Sequence, residues 1–393
     1  MSVEVAIPEL RRSEWRLRFF YMFAFAAGGV VQPFLNLYLA EAGLTGAQIG
    51  LVQGSAAFIA VLVTPVFGLL ADRTQRHRLL LRGILFLKGI SAPLLLVSSV
   101  FAWQVGAVSL RVITAQAQDA IMNRLTLKRL QTQQRLDFGS VRFWGGLSFA
   151  ATSLLTGYFA RDASVGILFP LSTVFALAAV LFAGALPKGM TARLSSQQRR
   201  DLPPRTAGLR FIFGMAFVYT LGLSGVQTFA ALYLVEDLGA GNAFIGLIGA
   251  IGSLAPLPAF YLADWLVHRI GATGVLGASF VMSVFAWSGM AFITSAPPAL
   301  IWMTLQGIAS SLYLVALVIL LGQWSLPQRA ATDQMLVQLT VPGVAGMLAQ
   351  PLSGWLFDAL GGPVLFALDS AFAFLAVGVL LSVQKKLNME TIQ

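Results

Sequence analysis

The stretch VQPFLNLYLAE, residues 31–41, returns as VQTFAALYLVE at residues 226–236. The two copies share Val, Gln, Phe, Leu, Tyr, Leu and Glu in register, and each closes an apolar run long enough to cross ~30 Å of hydrocarbon. Downstream, QIGL at 48–51 is answered by FIGL at 244–247, and LADR at 70–73 by LADW at 262–265. The offset stays close to half the chain. Two apolar helices can resemble each other by chance, but chance does not also match loop acids and pair Asp72 with Asp264. The pattern predicts a duplicated six-helix unit, giving two pseudo-symmetric bundles about an axis along the membrane normal with the solute path between them.

Composition agrees. The chain has 393 residues, 57% hydrophobic and 11% charged, where a soluble domain carries ~25% charge. Apolar runs of about 20 residues recur throughout, which predicts an all-α integral membrane protein with twelve transmembrane helices. The spans fall near 19–39, 46–70, 79–101, 103–124, 139–160 and 165–186, then 209–234, 244–264, 274–294, 299–323, 334–357 and 363–383. The run after RRSEWRLR is too long for an export-signal core and reads as a retained first span. The domain plan is therefore a segment 1–18, a bundle 19–186, a basic proline-bearing linker 187–208, a bundle 209–383 and a tail 384–393.

The net charge of +10 comes from Lys and Arg clusters between apolar runs. With the N-terminus in the cytoplasm those clusters lie inside and Arg161 alone lies outside, so both termini are expected to be cytoplasmic. This placement excludes nucleic acid as the partner. Absence of cysteine removes disulfides and thiolate metal sites, and His77 and His268 fall in expected loops, so no metal and no cofactor are expected. There is no phosphate loop and no hydrolase or nucleotide fingerprint, so the chain is not expected to be an enzyme.

The segment GLLADRTQRHR, residues 68–78, resembles the signature between helices 2 and 3 of the major facilitator superfamily. Gly68, Asp72, Arg73, Arg76 and Arg78 fill its roles, Gln75 stands where the family has a second glycine, and Asp264 marks a partial copy. The resemblance implies a major facilitator fold with a cytoplasmic gate, in which glycine permits close packing and the aspartate faces a helix N-terminus. RLDFGSVRFWGGLSFA, residues 135–150, resembles the start of helix 5 in the branch holding lactose permease, phenylpropionate permease and nucleoside–proton symporters. Asp137, Phe138, Gly139, Arg142, Gly145 and Phe149 match. That resemblance implies an Arg142–Asp119 pair at the solute site and Phe149 where lactose permease stacks a tryptophan on sugar. The proton-coupling acid and histidine that lactose permease keeps in its second half are missing here.

Helix geometry independently puts Asp119 and Arg142 at one depth, each ~5–8 Å from the cytoplasmic end. Gln116, Asp119 and Asn123 share a stripe. Lys88 and Arg111 lie deeper, where an unpaired cation costs about 2.5 kcal/mol or more, so each is expected to meet water, a counter-ion or the solute. Asn36 in the first repeat completes the candidate set of that half. The second half offers Tyr219, Gln227, Gln306, Tyr313, Gln338 and Asp369 as cavity groups.

The expected function is secondary active transport of a small polar or anionic organic solute by alternating access, as proton-coupled symport in a bacterial cytoplasmic (inner) membrane. The protein would act as a monomer among membrane lipid, with protons and solute as its partners. Drug or amphipath efflux by antiport is the alternative, disfavoured because GGLSFAATSLLTG lacks the proline of the efflux helix-5 signature. A non-transporting sensor on the same fold is the third reading.

Overall fold

The computed structural model describes the backbone of residues 3–132, 138–186, 205, 207–326 and 329–390. Among them there is no strand. The helices are α1 (Val3–Val31), α2 (Leu35–Glu41), α3 (Gly46–Thr74), α4 (His77–Leu95), α5 (Phe101–Thr132), α6 (Phe138–Phe159) and α7 (Phe169–Phe182). The chain continues with α8 (Ala207–Glu236), α9 (Asn242–Leu254), α10 (Pro256–Phe292), α11 (Ala299–Trp324), α12 (Ala330–Met335) and α13 (Val341–Glu390). Almost all of the 187–208 linker, Asp137 and the side chain of Asp72 lie outside the described residues.

Local chemistry explains the breaks. Pro33 lacks an amide hydrogen, and α1 tightens into a 3₁₀ turn at Gln32–Phe34 before α2. Inside α10, Gly271 stands at φ 73°, and inside α13, Gly361 stands at φ 79°. L-side chains avoid that region, so each glycine divides its stretch into two helices. Gln75 also adopts a left-handed φ of 54°. The residue departs from the gate signature, yet the backbone keeps the conformation that a glycine takes without strain. Gln75→Gly is therefore expected to stabilise the fold by about 1 kcal/mol, read as a higher midpoint of thermal unfolding in detergent.

Among the described residues, seven stretches are long and apolar enough to cross a membrane: Glu14–Glu41, Gly46–Ala71, Val165–Ala185, Gly208–Glu236, Asn242–Phe292, Ala299–Trp324 and Thr332–Ser382. The helices that miss this criterion are α4, α5 and α6. They carry Lys88, Arg111, Asp119 and Arg142. Many large apolar side chains face outward, with Leu181 78% and Phe292 83% exposed, as hydrocarbon solvent allows and water does not.

The contacts divide the chain into two compact units. The first takes residues 1–43, 62–193 and 241–253; the second takes 44–61, 194–240 and 254–393. The core of the first unit joins Leu17, Phe20 and Ala24 of α1 to Leu81, Ile84 and Leu85 of α4, Ile121 and Met122 of α5, and Ala179 of α7. Small polar groups stitch these helices: Ser172 Oγ donates to the Ala27 carbonyl at 2.8 Å and Thr173 Oγ1 to that of Gly89 at 2.7 Å.

The sequence repeat is also a repeat of contacts. In the first unit Tyr38 donates to the Leu95 carbonyl at 2.8 Å, its ring packs 5.2 Å from Phe169, and its edge fills the space where Gly166 lacks a Cβ. In the second, Tyr233 donates to the Ile293 carbonyl at 3.2 Å, packs 5.1 Å from Phe366 and fills the space beside Gly362. The same four-part arrangement occurs once in each unit.

The second unit holds a close seam along α3. Gly46, Gly50 and Gly54, one helical turn apart, bring its backbone against Gln350, Pro351 and Gly354 of α13. Asp358 closes the end of the seam, accepting from the amides of Gly46 and Ala47 at 2.8 Å each. Those are orphan donors of the first turn of α3, where a carboxylate is favoured by the helix dipole. In the first unit α6 and α9 are held comparably: Gly157 packs on Gly246, and Ser153 Oγ donates to the Gly246 carbonyl at 2.9 Å.

Candidate functional site

The polar residues of the first unit converge from four helices. Lys88 on α4 is 5% exposed. Its ammonium donates to Gln118 Oε1 of α5 at 2.8 Å and reaches the Ala24 carbonyl of α1 at 3.5 Å. Gln118 in turn directs its amide toward Asp119 Oδ1 at 3.5 Å. Asp119 itself is accessible while its neighbour Gln118 is buried. Lys88 and Arg142 lie near enough for their charges to be felt at Asp119, without a salt bridge to it among the described residues.

Arg142 approaches from α6 without a direct salt bridge to Asp119 among the described residues. Its guanidinium lies over the Phe25 ring, 5.5 Å from the centroid, and Phe25 stacks on Tyr21 at 6.0 Å. Tyr21 is pinned by donating to Thr126 Oγ1 at 2.9 Å. A guanidinium on an aromatic face is held in place while its N–H groups stay available. Arg111, 6% exposed, has Nη1 enclosed with no hydrogen-bond partner among the described residues. Gln116 Oε1 accepts from Thr64 Oγ1 at 3.2 Å. Phe149 packs against Gly28 and Gly29 of α1, and Asn36 is half-buried.

Gln118 links Lys88 to Asp119 and was not singled out from the sequence. A signal existed: Arg111, Thr114 and Gln118, spaced by three and four, form a second polar stripe on α5 beside that of Gln116 and Asp119.

Of the second-unit candidates, Tyr219, Gln306 and Tyr313 belong to one network of hydrogen bonds and ring contacts. Tyr219 OH and Ser283 Oγ lie 2.9 Å apart. Trp287 Nε1 donates to Gln306 Oε1 at 2.6 Å, and Gln306 Nε2 to Ser310 Oγ at 2.9 Å. The Tyr219 ring packs on Tyr313 at 4.7 Å and on Trp287 at 5.5 Å. Gln227 and Gln338 are exposed. Asp369 is 3% exposed, with its carboxylate against Gly225.

Of the gate signature, a Cβ on Gly68 would meet nothing within 4 Å. The close glycine packing of α3 lies instead at its other end. Arg73 and Arg76 are exposed, as is Asp264, whose carbonyl lies 2.8 Å from His268 Nδ1. Arg78 donates to the Leu186 carbonyl and Arg129 to that of Ala185, so two guanidiniums tie down the chain just after α7. Burial lowers both guanidinium pKa values; Arg82 adds to this at Arg78, and Glu14 opposes it at Arg129.

Helices with apolar outer faces among the described residues, an internal repeat and charged groups gathered on the least apolar helices define a polytopic helical membrane protein. The chain belongs to the MFS_1 like family, whose model matches residues 14–368, a family of transporters rather than enzymes. It is 24% identical over 385 residues to the uncharacterized transporter YwbF of Bacillus subtilis (strain 168), covering 94% of this chain and 92% of that protein. It is also 24% identical over 374 residues to the maltose permease of Geobacillus stearothermophilus, covering 93% and 91%. Among solved structures, a point mutant of the nucleoside transporter NupG superposes with a TM-score of 0.82 at 14% identity, covering 94% of this chain and 99% of that one. That likeness is one of fold.

Proposed function

We propose that the chain is a secondary active transporter that moves a small polar or anionic organic solute by alternating access, as a proton symporter of a bacterial cytoplasmic membrane. In this reading it is a monomer of twelve spans in two six-helix halves, with both termini cytoplasmic. The observation that carries it is the Asp119 cluster: an accessible carboxylate acted on by Lys88 and Arg142, on the three helices whose polarity departs most from a plain membrane span. Intramembrane ionisable groups of this kind mark substrate and proton paths.

The coupling follows from charge. With Asp119 ionised, its charge offsets those of Lys88 and Arg142 through space. A proton on Asp119 removes that charge and frees both cations to hold a carboxylate, phosphate or hydroxyl-rich solute. Solute and proton then favour each other's binding, which is the reciprocity that symport requires. The enclosed Nη1 of Arg111 offers a third donor. The α3–α13 and α6–α9 glycine seams supply contacts that close or part with little side-chain rearrangement. The relative named for maltose supports a polar, hydroxyl-bearing solute.

A thermal-shift screen of purified protein against sugars, nucleosides, aromatic acids and cationic drugs tests the solute class. A polar or anionic member of the panel is expected to raise the unfolding midpoint of the wild type and not of Arg142→Ala. Stabilisation by cationic drugs alone would replace the symport reading with efflux.

A further inference from the structure

Asp369 on α13 is the buried acid that this scheme leaves unused. It is 3% exposed, and its Oδ2 has no hydrogen-bond partner among the described residues. Both carboxylate oxygens occupy the place where a Cβ of Gly225 on α8 would be. One turn earlier, Gly222 lies against the Asp369 carbonyl, the Trp287 ring and Phe372. From α10 the contacts are Trp287 and Ser288, the latter sharing a hydrogen bond with Ser370 at 2.7 Å.

No cation of the described residues faces this carboxyl. The described charges on α8 are Arg210 and Glu236, about 22 and 16 Å along the axis from Gly225. Those on α10 are Asp264, His268 and Arg269, all before the Gly271 break. On α13 itself Asp358 is occupied at the first turn of α3. The remaining titratable neighbours are Tyr219, bonded to Ser283 and packed on Tyr313 of α11, and Tyr233, bonded to the Ile293 carbonyl. Asp119 differs: it is accessible and has two cations. An uncompensated negative charge in this enclosure is opposed by desolvation, whereas a carboxylic acid fits it. Gly225 lets α8 and α13 close over the group, so ionisation and separation of those helices accompany each other.

We propose that Asp369 is a second proton-binding site of the carrier, its carboxyl holding a proton while α8 and α13 are packed at Gly225 and releasing it to water when they part. The proton is taken up again from water as the helices close, so no other reactant is needed. This rests on the proton-coupled reading, to which it adds a site remote from Asp119.

Infrared spectra of the full-length protein in lipid vesicles, recorded as pH is raised, test it through the carbonyl stretch of a protonated carboxyl. Wild type is expected to show that band at neutral pH, to lose it in Asp369→Asn and to keep it in Asp119→Asn. A band that persists in Asp369→Asn, or a wild type without one at neutral pH, overturns the proposal. Hydrogen exchange of wild type alone gives a second reading that needs no variant to fold. Amides around 222–229 and 366–373 are expected to lose protection as the band disappears; protection unchanged after its loss overturns the link to helix separation. If the band behaves as expected but solute flux ignores an imposed proton gradient, the protonation site stands and the symport reading fails. The two failures are thereby distinguished.

Discussion

Replacing Asp119 by leucine is expected to abolish solute flux and to lower stability by no more than about 1 kcal/mol. The change removes the carboxylate that acts with Arg142 and Lys88, while Lys88 stays buried with Gln118 and the Ala24 carbonyl as its contacts. Breaking a fully enclosed, hydrogen-bonded ion pair costs about 3–5 kcal/mol, but Asp119 forms no salt bridge with either cation among the described residues. The smaller figure applies because Asp119 is accessible, so water already screens part of its charge. Adding Lys88→Met removes the stranded cation and is expected to return most of the stability without returning flux. Chemical denaturation and flux measured on both single variants and the double variant form the check. Recovery of flux in the double variant would show that the cluster has only a structural role.

The second large effect is expected at Gly50. A side chain there meets the Gln350 carbonyl oxygen, and its Cβ would lie 3.0 Å from Pro351 Cα. Both obstacles are backbone or ring atoms, which cannot swing aside as a flexible side chain does. Gly50→Val is expected to lower stability by about 1–3 kcal/mol through overpacking. It is also expected to reduce flux further than that loss explains, because a wedged seam cannot close. Gly68→Ala, in open space on the same helix, is the control and is expected to leave stability unchanged. Unfolding midpoints and initial flux rates of the two variants separate the outcomes.

The repeat was legible in the sequence because its contacts use the residues that repeat. Tyr38 and Tyr233 occupy corresponding helix ends and meet Gly166 and Gly362 in the same way. Asp119 was legible because an acid within an apolar run stands out whatever its partner. Its neighbours were harder to read. Depth along a helix follows from residue counting, and it puts Arg142 level with Asp119. Which faces of α4 and α5 meet depends on helix rotation, and rotation places Lys88 and Gln118 at the centre of the cluster. The seam had a legible glycine stripe at 46, 50 and 54, but its partner lies some 300 residues on, and a stripe alone does not name what packs on it. At Gln75 the side chain departs from the gate signature while the backbone retains it, so the turn survives a substitution that a letter-by-letter comparison scores as a mismatch.

Uptake by proteoliposomes under an imposed pH gradient, wild type beside Asp119→Asn, tests the central claim most directly. The solute used is the one that stabilises the wild type in the thermal-shift screen. Wild type is expected to accumulate it above its external concentration when the outside is acidic, and Asp119→Asn to equilibrate without accumulation. Equal accumulation by the two would remove Asp119 from coupling, and a wild type that moves no solute under any gradient would contradict the reading of this chain as a transporter.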